Sequence, residues 1–100
     1  MRRQPLGQSP ERAVEVAGML KALGHPVRLR IVALLCEGER NVSELAELLA
    51  VGQAIVSQQL RILRMSRLVE VRRENGFATY SLGEPNLVQM VSCMECCSLH

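Results

Sequence analysis

The most reactive side chains of this 100-residue chain are four cysteines: Cys36, Cys93, Cys96 and Cys97. Three of them fall close to the C-terminus at spacings i, i+3 and i+4. On a helix that spacing draws three sulfurs into a stripe along one side, spanning about 100°. The pattern is no disulfide framework. Where thiols are kept reduced it reads as a metal or redox site. A second group of residues offers hydrogen bonding instead. Ser57, Arg61 and Arg64 recur at i, i+4 and i+7, with Gln53 and Gln58 beside them. Arginine and glutamine make paired hydrogen bonds to guanine and adenine edges, and serine reaches phosphate or base. The local charge agrees with such a surface. Between Gln53 and Gly76, five arginines (Arg61, Arg64, Arg67, Arg72, Arg73) stand against two glutamates (Glu70, Glu74), although the whole chain carries only +2. By charge alone this is equally a solvated face.

The elements that must hold these groups follow from periodicity. Val42–Leu68 contains two helical patterns either side of Ala50-Val51-Gly52-Gln53. The first, Ser43–Leu49, has Leu45, Leu48 and Leu49 on one face. The second, Gln53–Arg67, has Val56, Leu60 and Leu63 at i, i+4 and i+7, opposite the Ser/Arg face. A short apolar helix followed by one with a basic, hydrogen-bonding outer face is the pattern of a helix-turn-helix. Ser43 is the expected cap of the first, and Gly52 stands at the cap of the second. After Leu68 the period changes from 3.6 to 2, with Val69 and Val71 alternating with Glu70 and Arg72. Asn75-Gly76 then separates this run from Phe77–Leu82. Asn-Gly between alternating runs predicts a hairpin with a type I′ turn. A lone hairpin is marginal in water, so it must pack against the helices as a wing beside the reading helix.

Upstream, residues 1–8 show no periodicity and read as a flexible tail. Ser9-Pro10-Glu11 has the cap, proline and acid of a helix start. Ala13, Val16, Ala17, Leu20 and Leu23 form an apolar face, and Gly24 is expected to end this helix as a left-handed cap. Pro26 opens a second helix to about Cys36, apolar nearly all round and therefore central. Downstream, Glu84-Pro85 begins a last helix through about Cys97, with Leu87, Met90, Val91 and Met94 on one face. His25 reads as a residue of an interhelix turn, His100 as a chain end with a lesser possibility of ligation, and Met90 and Met94 as core.

Length and composition allow one domain, residues 9–100, with 48% hydrophobic residues and Phe77 and Tyr80 as the aromatics. A chain this short buries a modest share of its surface, and pairing with a second copy would help. The N-terminus has no apolar core of a secretory signal, and no run is long enough to span a bilayer. A cytoplasmic location is expected.

The order helix, helix, helix-turn-helix, wing, helix resembles the ArsR/SmtB family of small bacterial winged-helix repressors. The resemblance rests on LKALGHPVRLRIVALL (Leu20–Leu35), NVSELAELLAVGQAIVSQQLRIL (Asn41–Leu63), RLVEVRRENGFATYSL (Arg67–Leu82) and the final helix, covering roughly residues 15–92. It implies a mostly α fold with a small β-hairpin, in a homodimer paired through the first and last helices. Two recognition helices would enter successive major grooves of a palindromic double-stranded operator. A chemical inducer would weaken DNA binding. On the family pattern Gln53, Ala54, Ser57, Gln58 and Arg61 face DNA, with Arg64 on the same side, and the wing arginines Arg72 and Arg73 touch phosphate or the minor groove. Gln59 stands where many members have His.

The family's sensor sites differ from member to member. A Cys-x-Cys at the start of the third helix is absent here, and so are the Asp/His pairs along the final helix that take zinc. What remains is sulfur. Soft thiolates select soft ions, and three sulfurs without a fourth strong ligand suit a trigonal As(III) or Sb(III) centre at Cys93, Cys96 and Cys97. The alternative is a persulfide- or redox-responsive pair, Cys36 with Cys93 or Cys97, as in relatives that join a cysteine of the second helix to one of the last. A different class, a thiol oxidoreductase using Cys93-Met94-Glu95-Cys96, is disfavoured. Its motif lies at a helix C-terminus, where the dipole opposes the thiolate, and no βαβ pattern accompanies it. No enzyme activity is expected.

Overall fold

The computed structural model describes residues 5–97. A 3-10 turn at Leu6–Gln8, within the stretch expected to be a tail, precedes α1 (Pro10–Leu23). Ser9 caps α1 as its sequence indicates, accepting a hydrogen bond from the Arg12 backbone N–H at 3.2 Å. Gly24 closes the helix with φ −77°, so the left-handed cap expected there does not form. The chain instead turns at once into α2 (Pro26–Glu37), one residue longer than expected, with Pro26 in its first turn. His25 is the cap of α2: its Nδ1 accepts from the Val27 N–H at 3.1 Å.

Asn41, not Ser43, caps α3 (Val42–Leu49). Its side chain accepts from the Glu44 N–H at 2.8 Å while the Glu44 carboxylate accepts from the Asn41 N–H at 2.9 Å. This reciprocal box satisfies two amides that would otherwise lack partners. Ala50, in the left-handed region at φ 57°, ends α3 and begins the turn. α4 (Gln53–Met65) follows from Gly52, which offers no side-chain cap. It stops two residues before Arg67, which takes φ 61°.

At that corner Gly83 passes close to the chain. A Cβ there would lie 2.8 Å from the Arg67 carbonyl oxygen, so no larger residue fits without a shift. Strands β1 (Val69–Glu74) and β2 (Phe77–Leu82) then pair antiparallel, from Val69 opposite Leu82 to Glu74 opposite Phe77. Asn75 and Gly76, at φ 51° and 81°, supply the two positive dihedrals that a type I′ turn needs. Arg40, between α2 and α3, adds a bridge to the outer edge of β2. Its N–H donates to the Tyr80 carbonyl at 3.1 Å and its carbonyl accepts from the Tyr80 N–H at 2.9 Å. The hairpin is thereby anchored to the helical body. α5 (Leu87–Glu95) starts three residues later than expected and ends before Cys96 and Cys97.

The core lies where α2, α3, α4, the root of the wing and α5 meet. Ile31, Val32, Leu45, Val56, Leu60, Leu63 and Leu87 are fully buried. Burial of each such side chain stabilises the fold by about 1.5–3 kcal/mol. Of the apolar face read along α1 only Leu23 is buried, next to Ala22. Val14 is 73% exposed and Leu20 51% exposed, and on α5 Val88 and Met94 remain 45% and 42% exposed. Among the described residues no helix is long and apolar enough to cross a membrane.

Candidate nucleic-acid interface and thiol cluster

α4 sorts its side chains by angle. Val56, Leu60 and Leu63 are buried, and Gln53, Ala54, Ser57, Gln58, Arg61 and Arg64 are all exposed. The sequence periodicity therefore places every candidate contact on this helix on its solvent side. Two side-chain hydrogen bonds join the helix to its surroundings. Gln53 Nε2 donates to Ser43 Oγ of α3 at 3.1 Å, fixing the start of the helix. Arg28 Nη1 of α2 donates to Gln59 Oε1 at 2.8 Å, while its Nε donates to the Ala22 carbonyl of α1. Arg28 thus ties α4 to the two helices behind it. Neither Arg28 nor its role was singled out from the sequence, because the partners lie 6 and 31 residues away.

Between the second half of α4 and β1 lies an open groove of about 550 Å³, lined by Arg61, Arg64, Met65, Val69, Glu70 and Val71. Two cations stand on one wall, and on the other a strand carries Glu70 between two valines. The wing arginines differ. Strand alternation puts Arg73 on the side of Val69 and Val71, and among the described residues it makes no ion pair. Arg72 points to the other side and is held. Its Nη1 and Nη2 donate to the two carboxylate oxygens of Glu39 at 3.2 and 3.3 Å, and its Nε lies 3.0 Å from Glu74 Oε1. The hydrogen bond to Glu39, then the charges of Glu39 and Glu74, raise the Arg72 pKa further above its ordinary value.

The cysteines are far from equivalent. Cys93 lies in the last turn of α5, Cys96 caps it with near-helical dihedrals (φ −89°, ψ −5°), and Cys97 follows it. All three are exposed, and all four cysteines are free thiols. The helix expected to carry the whole sulfur stripe stops short of its last two members. Among the described residues no three histidine, cysteine or acidic side chains are grouped to hold a metal ion. His100, the other candidate ligand, lies outside the described residues. Cys36 is half-buried in the last turn of α2. Burial, then the charges of Glu95 and Glu37, raise its pKa. α2 and α5 pack together, and a smaller apolar groove of about 250 Å³ between them is lined by Leu29, Arg30, Ala33, Val91, Met94 and Glu95.

Known proteins share this architecture. Residues 25–71 match the model of the family described as "Bacterial regulatory protein, arsR family". The chain is 46% identical over 84 residues to the biofilm growth-associated repressor of Xylella fastidiosa, covering 84% of this chain and 74% of that protein. The crystal structure of the transcriptional repressor BigR from Xylella fastidiosa superposes with a TM-score of 0.83 at 41% identity, covering 96% of this chain and all of the other. The solution structure of the homodimeric winged helix-turn-helix DNA-binding domain Mb0332 from Mycobacterium bovis gives 0.76 at 31% identity, covering 91% and 87%. With the helix-turn-helix, the wing and these relatives together, the chain belongs to the ArsR family of bacterial regulatory proteins, winged helix-turn-helix DNA-binding regulators rather than enzymes.

Proposed function

We propose that this chain is a cytoplasmic transcriptional repressor that binds a palindromic operator as a homodimer and lets go when a thiol-reactive inducer engages the end of α5. The observation that carries the DNA reading is the division of α4 into a buried aliphatic stripe and an exposed face of Ser57, Gln58, Arg61 and Arg64. Gln53 and Ala54 stand at the start of that face. Arg73 extends the surface from the wing, so that α4 reads base edges and the wing grips the backbone. Val14 and Leu20 on α1 and Val88 and Met94 on α5 leave apolar surface that a second copy would cover, which supports the dimer.

The inducer is a soft ion or metalloid, As(III) or Sb(III), taken by Cys93, Cys96 and Cys97. Exposure of all three thiols supports this reading. Because they are not grouped in advance, binding must rearrange the end of α5, and that rearrangement is what couples the site to the paired recognition helices. A second reading, a sulfur bridge from Cys36 to Cys93 or Cys97, is supported by one observation: α2 and α5 pack together, with Leu29, Arg30 and Ala33 of α2 and Val91, Met94 and Glu95 of α5 lining one groove. Titration of DNA-bound protein with arsenite, antimonite, cadmium or a persulfide donor separates them. Release by arsenite, lost when Cys93, Cys96 and Cys97 become Ser, supports the metalloid site. Release by the persulfide donor, with a mass increase bridging Cys36, supports the other. Release that persists in the triple variant rules the cluster out.

A further inference from the structure

Of the two wing arginines, the sequence treats Arg72 and Arg73 alike, as phosphate or minor-groove contacts. Their surroundings separate them. The β1–β2 register places Arg72 opposite Thr79 and Arg73 opposite Ala78, so the two side chains leave the ribbon on opposite faces. The Arg73 face continues Val69 and Val71, which line the groove against Arg61 and Arg64 of α4. On the other face Arg72 meets Glu74 of its own strand and Glu39 from the α2–α3 connection. Around one guanidinium there are thus more acids than the guanidinium can neutralise. That face repels phosphate, whereas the Arg73 face adds to the positive wall of the groove.

The partner of Arg72 also has a particular place. Glu39 lies next to Arg40, whose backbone makes both hydrogen bonds of the bridge to Tyr80. The Arg40 side chain in turn donates to the Leu34 carbonyl at 3.3 Å and to Glu37 Oε1 at 3.2 Å, closing the end of α2. Backbone bonds hold the connection to β2, and the forked Arg72–Glu39 pair reaches past β2 to hold β1. The bridge fixes the root of the hairpin. The fork fixes the strand leading to its tip.

We infer that Arg72 is a positioning residue of the wing, clamped by Glu39 so that Arg73 meets the DNA backbone, and is not itself a phosphate contact. The inference rests on the DNA-binding reading above and assigns Glu39 a part in it. The two partners of an ion pair act as a unit, so losing both costs little more than losing one, whereas losing a phosphate contact lowers the dependence of binding on salt.

The test measures binding of the full-length chain to the tightest duplex it selects from a randomised pool of about 30 base pairs, across a range of salt. Wild-type binding in the same titration establishes the reading on which the inference rests, separately from the variants. Arg73→Met is expected to flatten the dependence of log affinity on log salt by about 0.9 per arginine in each operator-bound chain. Arg72→Met is expected to weaken binding about 3- to 10-fold with the salt slope unchanged, and Glu39→Gln to weaken it in the same direction. The double variant Glu39→Gln with Arg72→Met is expected to bind within about twofold of Arg72→Met alone, because the two side chains act as one pair. A reduced slope in Arg72→Met, tighter binding in Glu39→Gln, or losses that simply add in the double variant would each overturn the assignment. All three side chains are at the surface, and unfolding curves taken alongside confirm that each variant is folded at the temperature of the titration.

Discussion

The two ends of this molecule that carry chemistry are built in opposite ways. α4 is 13 residues long, has three fully buried aliphatic side chains, and is pinned at its start by Gln53–Ser43 and in its middle by Gln59–Arg28. The end of α5 is the last turn of a 9-residue helix, and its cysteines are exposed. A surface that reads base edges gains from being fixed before DNA arrives, because ordering it later would cost affinity. A site that must change the state of the molecule gains from being loose, since local opening is then within reach of a ligand's binding energy. The contrast suits an output that is rigid and an input that is not.

Several substitutions would sharpen or break that contrast. Leu63→Ala removes a fully buried side chain behind the reading face and is expected to cost about 2–5 kcal/mol in urea unfolding, where the exposed Met94→Ala costs under about 1 kcal/mol. Similar losses at both positions would deny that the two ends differ in packing. Arg61→Ala, exposed on α4, is expected to lower operator affinity by about 1–3 kcal/mol with the melting temperature unchanged; unchanged affinity would remove Arg61 from the interface. Asn41→Ala breaks the capping box of α3 and is expected to lose about 1 kcal/mol, whereas Asn86→Ala, at a cap without a side-chain bond, should lose only a few tenths.

The smallest effect concerns the thiols. Because Cys36 has a raised pKa, less of it is thiolate at neutral pH, and its alkylation should lag behind that of the exposed cysteines and catch up as the pH rises past the ordinary thiol range. Glu95→Gln removes one charge that raises that pKa and should speed Cys36 alkylation at fixed pH, read by mass spectrometry. Equal rates with and without Glu95 would separate the ends of α2 and α5.

The legible parts of the fold are those whose cause is local. The period of 3.6 in Val56, Leu60 and Leu63 and the period of 2 after Leu68 fix which faces are buried. Asn75-Gly76 fixes the turn because only certain residues accept its dihedrals. The box between Asn41 and Glu44 is equally local, an Asn followed three residues later by Glu, although Ser43, two residues on, offers a cap of the same chemistry. α1 misled for a different reason. Its apolar face is present in the sequence, but periodicity cannot say whether such a face turns to the core of its own chain or away from it, and Ala13, Ala17 and Leu20 stay exposed.

By itself, then, the sequence determined the order of elements, the wing and the sorting of α4 into a buried and a reading side, because each depends on neighbours within about one or two turns of chain. It also supplied the thiols and their spacing. Only the tertiary structure decided that α5 stops before Cys96, that Cys36 feels Glu95, that Arg28 holds Gln59, and that Arg72 is held by Glu39 while Arg73 is not. Each of these depends on packing across tens of residues or on where a helix ends. Residue type and spacing carry no trace of either.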